Sequence, residues 1–347
     1  MKGNEALAEA AIRAGCDAYF GYPITPQSEV LEYLAREMPR YGRLVMQAES
    51  EVASINMLYG AAGAGFRVMT SSSSPGFSLM QEGISYMAGA ELPCLLVNVN
   101  RAGPGLGTIQ PGQGDYFQAT KGGGHGDYRL LVLAPASVQE MADFVFLGFT
   151  LAEKYRNPVL ILSDGAIGQM MEKVVFDQAP VPDIPKPWAT VGKPAHRSRN
   201  YITSLHIQPE QMEQHNLRLL EKYKAMQEEV RFEEIATADA DYLLVAYGLS
   251  GRIAHKAVDV ARHRGLRVGL LRPITLYPFP ERRLAQLARQ VQGMLTIELN
   301  SGQMLEDVRL AVNGRVPVRH LGRLGGMLPT PDDIVHELEN ILEVQHA

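Results

Sequence analysis

The stretch Gly21-Tyr22-Pro23-Ile24-Thr25-Pro26 decides how this chain is read. It follows a short apolar run, Ala18 to Phe20, and precedes a helical pattern carrying Val30, Leu31 and Leu34. Pro26 at the first helical position, with Thr25 just before it, is a helix-start signal. A strand that feeds a helix through such a turn belongs to a parallel α/β sheet, where ligands bind beyond the strand ends. Thr25 would present its hydroxyl, and the free backbone N–H groups behind it, at that mouth. Taken alone, the stretch reads better as a helix cap stiffened by two prolines. The rest of the chain changes that balance.

Outward from this turn, residues 4 to 176 alternate between helix and strand patterns. Asn4 is expected to cap a first helix with Leu7, Ala11 and Ile12. Leu44-Val45-Met46 and Arg67-Val68-Met69-Thr70 read as strands. Pro93 to Val99, Leu130 to Leu133 and Val159 to Leu162 are continuous apolar runs, as expected for strands buried on both faces. A helix is expected from Phe77 to about Ala88, and Ser137-Val138-Gln139-Glu140 is a capping-box pattern. The expected fold is therefore α/β, a parallel sheet with helices on both faces. Residues 177–240 differ: five prolines stiffen an extended segment, and a polar helical stretch follows from Pro209 to about Glu234. Trp188, Tyr201, Leu205 and Ile207 in this segment call for burial. A second α/β unit, 241–347, begins at Tyr242-Leu243-Leu244-Val245-Ala246, with strands expected at Val268 to Leu271, Met294 to Ile297 and Val316 to His320.

Composition narrows the function. The chain has 347 residues, 46% hydrophobic and 20% charged, as in soluble globular proteins. A net charge of -5 without a dense Lys/Arg cluster argues against nucleic-acid binding. Cys16 and Cys94 sit in or beside apolar runs and read as buried thiols. Two isolated cysteines can build neither an iron–sulfur centre nor a structural zinc site, and they fit a reducing cytoplasm. No apolar run approaches the roughly 20 residues of a bilayer span, and the first residues carry no signal-peptide pattern.

Several segments could carry chemistry. Glu49 and Glu51 open a helix of small residues, Ala53 to Gly65, that would let another backbone or subunit approach closely. One of the two acids, assigned to Glu49, need only complement the helix dipole. Gly103-Pro104-Gly105-Leu106-Gly107 follows a strand but fails the dinucleotide spacing, and Pro104 removes a donor. Arg101 ends the apolar strand and opens this loop. It could reach a substrate carboxylate bidentately, or form a surface ion pair. His125, in the loop Gly122 to Asp127, is as well read as a solvated residue as a general base. Ser163-Asp164-Gly165 looks like part of a metal–diphosphate motif, but no asparagine follows at a suitable distance. No metal site is expected in this chain.

Together, Tyr22 to Pro26, Gln47-Ala48-Glu49-Ser50-Glu51, Thr70 to Gly76, Asn98 to Gly107, Arg272 to Pro278 and Glu298 to Met304 resemble the alpha-type subunit of 2-oxoacid:ferredoxin oxidoreductases. Gln113-Gly114-Asp115-Tyr116 and Lys121 to Asp127 are most similar to the branched-chain, 2-oxoisovalerate type. The resemblance implies a thiamine-diphosphate pyrimidine-type domain over 1–176, a connecting segment over 177–240, and a transketolase C-terminal-like domain over 241–347. It implies that Glu51 hydrogen-bonds the cofactor's aminopyrimidine and shares a proton with a ring nitrogen, its carboxyl tuned by burial. Thr25 and Arg101 are implied to hold the substrate carboxylate. Tyr22, Pro23, Ile24 and Thr25, with Ser73, Ser74 and Gly76, are implied to lie against the cofactor. Ser74-Pro75-Gly76 departs from the commoner Gly-Pro-Gly of the family, which bears on pocket shape. The implied reaction is oxidative decarboxylation of a 2-oxoacid to an acyl-CoA with ferredoxin as acceptor; 2-oxoglutarate is the next substrate. The cofactor's diphosphate, its Mg2+ and the iron–sulfur clusters are expected on partner chains: a beta-type subunit, with gamma and ferredoxin-like subunits. A two-chain non-oxidative decarboxylase and a scaffold subunit with a vestigial pocket are the other readings.

Overall fold

The computed structural model describes residues 1–346, with side chains described through 340. Twelve strands form two sheets among the described residues. In chain order they are β1 (Ala18–Gly21), β2 (Leu44–Gln47), β3 (Val68–Ser72), β4 (Cys94–Asn100), β5 (Leu131–Leu133) and β6 (Pro158–Asp164), then β7 (Phe232–Ile235), β8 (Tyr242–Val245), β9 (Val268–Pro273), β10 (Thr275–Tyr277), β11 (Gly293–Glu298) and β12 (Val318–Gly322). The first sheet runs β10-β5-β6-β4-β3-β1-β2 and the second β12-β11-β8-β9-β7. Neighbours pair in parallel except β10 against β5 and β7 against β9.

The centre of the first sheet is where apolar continuity is greatest. Every residue of β4 and β6 is buried, as helices on both faces require. β2, at the edge, leaves Leu44 and Met46 exposed. The two antiparallel strands were not expected from the sequence. Thr275–Tyr277 is too short for a periodic signal, and it leaves the second unit to pair with Leu133 and Val132 of the first sheet. The polar helix expected to Glu234 ends at Ala225, and Phe232–Ile235 instead edges the second sheet. The helix expected over 77–88 is broken into Ser74–Leu79 and Gln81–Gly89.

The connecting segment is stapled to the first unit by Arg67, which is itself held in a buried ion pair. Arg67 meets Glu153 through two bonds of 2.9 Å. Its remaining donors reach the carbonyls of Ala14, Val181 and Pro182 at 2.9 to 3.1 Å. Beyond the staple, Thr190 N donates to Gly63 O at 2.9 Å, and a Cβ on Gly65 (φ +90°) would lie 2.9 Å from Ala189 Cβ. The small residues ending helix Glu51–Gly63 therefore admit this chain's own connector. Trp188 finds cover, packed on the core beneath the Arg156 guanidinium at 4.6 Å. Tyr201, Leu205 and Ile207 do not; each is more than 70% exposed, while the alternate residues Ile202, Ser204 and His206 are the half-buried ones. No helix among the described residues is long and apolar enough to cross a membrane.

Candidate active site

The turn after β1 differs from the helix start read in the sequence. The helix spans Ser28–Glu37, with Gln27 at its cap position and no side-chain cap. Two inward contacts delay it. Asn4, inside helix Gly3–Arg13 rather than capping it, donates to Pro26 O at 2.8 Å. The Gln27 carboxamide turns into the core, where Ser71 Oγ donates to it at 2.6 Å. Tyr22, Pro23 and Thr25 are left exposed, and Ile24 is half-buried.

Glu51 is the first residue of its helix, and Ser50 caps it by accepting from Ala53 N at 3.1 Å. The cap fixes the helix start and points the Glu51 side chain inward, where it is 5% exposed. The following helix starts at Ser74, at the end of β3. There Gly76 allows a close approach: a Cβ on it would lie 2.1 Å from Glu51 Oε1 and 2.3 Å from Ser72 Oγ. Gly76 is thus a cradle for the Glu51 carboxylate. Ser73 stands at the cap position of this helix but makes no cap bond.

A second cluster forms at the end of β4. Arg101 Nη1 donates to Thr25 O at 3.0 Å and Nη2 to Leu106 O at 3.1 Å. The guanidinium therefore bridges the turn after β1 and the glycine loop. Ser74 Oγ donates to Arg101 O, and Arg101 N donates to Ser74 Oγ, both at 3.1 Å. Thr25, Ser74 and Arg101 are brought together, as are Glu51, Ser72 and Gly76, and helix Ser74–Leu79 joins the two groups. Pro23 lines a separate groove with Leu31, Val45 and Gln47. His125 stands elsewhere, edge-on to Tyr86 at 5.8 Å, in a cavity with Leu205 and Met212. Asp164 is a helix cap: its Oδ1 accepts from Ala166 N and Ile167 N, and burial pushes its pKa up to about 6. Cys16 and Cys94 are buried, and burial raises both thiols, Cys16 to about 12.

Three residues lie in stretches quoted for the family resemblance but were given no role there. Asn98 and Asn100 are buried at alternate positions near the end of β4, and Asn98 Nδ2 donates to Asp115 Oδ2 at 2.8 Å. Asp115 occupies a helix cap position yet makes no cap bond. It lines a cavity of about 570 Å³ with Ser74, Gly103, Asn300 and Gln303, and desolvation raises its pKa. Polar asparagines ending an apolar strand were the available signal, because a buried strand has no packing use for them.

This edge carries an excess of unpaired polar atoms. Ser72 Oγ, Ser73 Oγ, Asn98 Oδ1, Asn100 Nδ2 and Arg101 Nε are buried without a partner. The Glu51 carboxylate also has no hydrogen bond from the described residues. Native proteins pair nearly all such atoms, so a cluster of exceptions at the C-terminal edge of a parallel sheet marks a place for a polar ligand.

Comparison with known proteins shows the family. The family described as pyruvate flavodoxin/ferredoxin oxidoreductase, thiamine diphosphate-binding, matches residues 9–237. The pyruvate:ferredoxin oxidoreductase core domain II matches residues 240–334. The chain belongs to the 2-oxoacid:ferredoxin oxidoreductase alpha-subunit family. It is 52% identical to ketoisovalerate oxidoreductase subunit VorB of Methanothermobacter marburgensis, covering 98% of this chain and 97% of that one. It is 37% identical to 2-oxoglutarate synthase subunit KorA of Archaeoglobus fulgidus, covering 93% and 94%. Among solved structures it resembles a 2-oxoglutarate:ferredoxin oxidoreductase from Magnetococcus marinus, with 2-oxoglutarate, coenzyme A and succinyl-CoA bound in that structure. The TM-score is 0.85 at 27% identity, covering 98% of this chain and 64% of that longer one. A split-gene transketolase, at 14% identity and a TM-score of 0.59, shares the fold.

Thiamine diphosphate fits the residues at this edge. A buried carboxylate with no internal partner suits a ring nitrogen, and Gly76 lets that carboxylate stand where a Cβ would clash with it.

Proposed function

We propose that this chain is the thiamine-diphosphate-binding catalytic subunit of a CoA-acylating 2-oxoacid:ferredoxin oxidoreductase, with a branched-chain 2-oxoacid such as 2-oxoisovalerate as its substrate. The reaction releases carbon dioxide, transfers the acyl group to the CoA thiol and passes an electron pair to ferredoxin. In this reading residues 1–176 form the pyrimidine-type domain, 177–240 the connector and 241–347 the transketolase C-terminal-like domain. The diphosphate, Mg2+ and iron–sulfur clusters lie on partner chains, and the active site is completed by a beta-type subunit. Gamma and ferredoxin-like subunits complete the assembly, which is cytoplasmic.

The observation that carries the reading is the Glu51 carboxylate, buried and without a partner. When bound, thiamine diphosphate would supply a nucleophilic thiazolium carbon and a cationic ring that serves as electron sink for decarboxylation. Glu51 would hold the proton shared with the pyrimidine nitrogen, and Gly76 would keep its carboxylate in place. Tyr22 to Thr25, Ser73 and Ser74 would border the cofactor. Arg101, with its Nε unpaired, and the Thr25 hydroxyl would hold the substrate carboxylate. The greater identity to the ketoisovalerate relative than to the 2-oxoglutarate relative supports the branched-chain preference.

The test is CoA- and thiamine-dependent reduction of a low-potential dye by the complex copurified with this chain, over a panel of 2-oxoacids. Highest kcat/KM on 2-oxoisovalerate is expected. A preference for 2-oxoglutarate would overturn the substrate assignment, and ferredoxin-independent aldehyde release would overturn the reaction.

A further inference from the structure

The glycine loop that follows Arg101 is largely exposed, with Leu106 at 82%. Its own bonds are few: Ala102 N to Gln110 O at 3.0 Å, Thr108 N to Ala102 O at 2.9 Å, Gln110 N to Thr108 Oγ1 at 3.3 Å, Arg101 Nη2 to Leu106 O at 3.1 Å, and the bridge between Arg101 and Pro111. A loop of this kind samples many conformations unless something outside it fixes its far end. That end is Gln113, which is 3% exposed.

Gln113 enters the second unit and is bonded there on every side. Its Nε2 donates to Tyr247 O at 3.0 Å. Its Oε1 accepts from Ser250 Oγ and Leu299 N, both at 2.9 Å. Its backbone N donates to Leu299 O at 3.1 Å, and its carbonyl accepts from Asn300 Nδ2 at 2.7 Å. The socket requires Gly248, whose φ is +53° and on which a Cβ would sit 3.3 Å from Gln113 Nε2. Among the described residues, the second unit makes no hydrogen bond to the Glu51 or Arg101 side chain, yet it holds Gln113 through two of its own strand-to-helix turns.

We infer that Gln113 is a positioning residue: through it the second unit fixes the glycine loop, and with the loop the Arg101 guanidinium. Arg101 Nη2 is bonded to Leu106 O within that loop, so loosening the far end releases one of the two carbonyls that orient the cation. The consequence for substrate rests on the reading of Arg101 as the carboxylate-binding group. Loss of an oriented cation weakens ground state and transition state alike, and so raises KM more than it lowers kcat.

The experiment compares three variants of the full chain. Gln113→Met removes the carboxamide. Ser250→Ala removes a donor that reaches the loop only through Gln113. Tyr116→Phe removes a different bond between the units, Tyr116 OH to Asp307 Oδ2 at 2.6 Å, and serves as the control for docking alone. Hydrogen exchange of residues 102–112 is expected to quicken about tenfold in Gln113→Met, by about threefold in Ser250→Ala, and by less than about twofold in Tyr116→Phe. In the copurified complex, Gln113→Met is expected to raise KM for the 2-oxoacid about tenfold with kcat within about threefold. Unchanged exchange in Gln113→Met, or equal changes in Gln113→Met and Tyr116→Phe, would overturn the inference. The exchange measurement needs no turnover, so a wild-type complex inactive on every 2-oxoacid would sink the functional reading and leave the anchor standing.

Discussion

Two strand-to-helix turns, both at the C-terminal edge of a parallel sheet, satisfy their polar groups in opposite ways. After β11, Glu298 accepts from Met304 N and Leu305 N, and Asn300 Oδ1 accepts from Gly302 N and Gln303 N. The free N–H groups at that helix start are consumed by the turn itself, and Asn300 Nδ2 closes on Gln113 O. After β3, Ser73 makes no cap bond, and Ser72 Oγ and Ser73 Oγ are left buried and unpaired. The first turn is a lock and the second is built to receive something. Burying polar atoms without partners costs stability, and a protein retains that cost where a ligand supplies the missing bonds.

The sharpest way to break this contrast is Glu51→Gln. Activity of the complex is expected to fall at least about 100-fold, as for loss of a proton-holding group, with no loss of stability, because the carboxylate has no internal partner to lose. A variant that unfolds more readily and still turns over would reverse the assignment of the two turns. On the lock side, Asn300→Ala should cost about 2–4 kcal/mol in urea unfolding, since it leaves two helix-start donors unpaired and takes the shorter of two bonds from the Gln113 carbonyl. A loss below about 0.5 kcal/mol would show that water replaces the lock.

Asp164 caps its helix as Glu298 does, at the end of β6. Burial raises its pKa from 3.8 to about 6, so the folded chain retains a proton that the unfolded chain releases between those values. Stability therefore falls as pH rises through that window. Asp164→Asn keeps the cap acceptor and cannot ionise. Its stability relative to wild type should climb by on the order of 2 kcal/mol from pH 3.8 to about 6 and then level off. A flat difference across that range would mean the carboxylate is better solvated than its burial implies. The smallest effect is expected of Ser73→Ala: unfolding unchanged or stabilised by up to about 1 kcal/mol, since the hydroxyl has no partner. A clear destabilisation would place a bonded group where the structure has an orphan.

Much of the fold was legible from apolar continuity, and the failures have local causes. β4 and β6 were evident because strands buried on both faces leave no polar alternation to blur. β10 was not, because three residues carry no period and its partner strand lies more than a hundred residues earlier. The helix after β1 was placed two residues early, because Pro26 satisfies every local rule for a first turn while Asn4 and Ser71 draw it and Gln27 inward. The small residues of helix Glu51–Gly63 were correctly read as permitting close approach, yet which backbone approaches is not written locally; it is the connector.

By itself, the sequence determined the alternation of strands and helices, the strand-end turns where Thr25, Glu51, Ser74 and Arg101 stand, and the family to which their ordered set points. These follow from short-range periodicity and from side-chain types at turns, which depend on neighbours within a few residues. Only the tertiary structure decided that Gly76 cradles Glu51, that Arg101 bridges two turns, that Asp115 leaves its helix for Asn98, and that Gln113 ties the loop to the second unit. The contacts that define them join groups 17 to 187 residues apart. Such contacts depend on where the sheets bring strand ends together and on which buried polar atoms find partners there, and no local pattern encodes either.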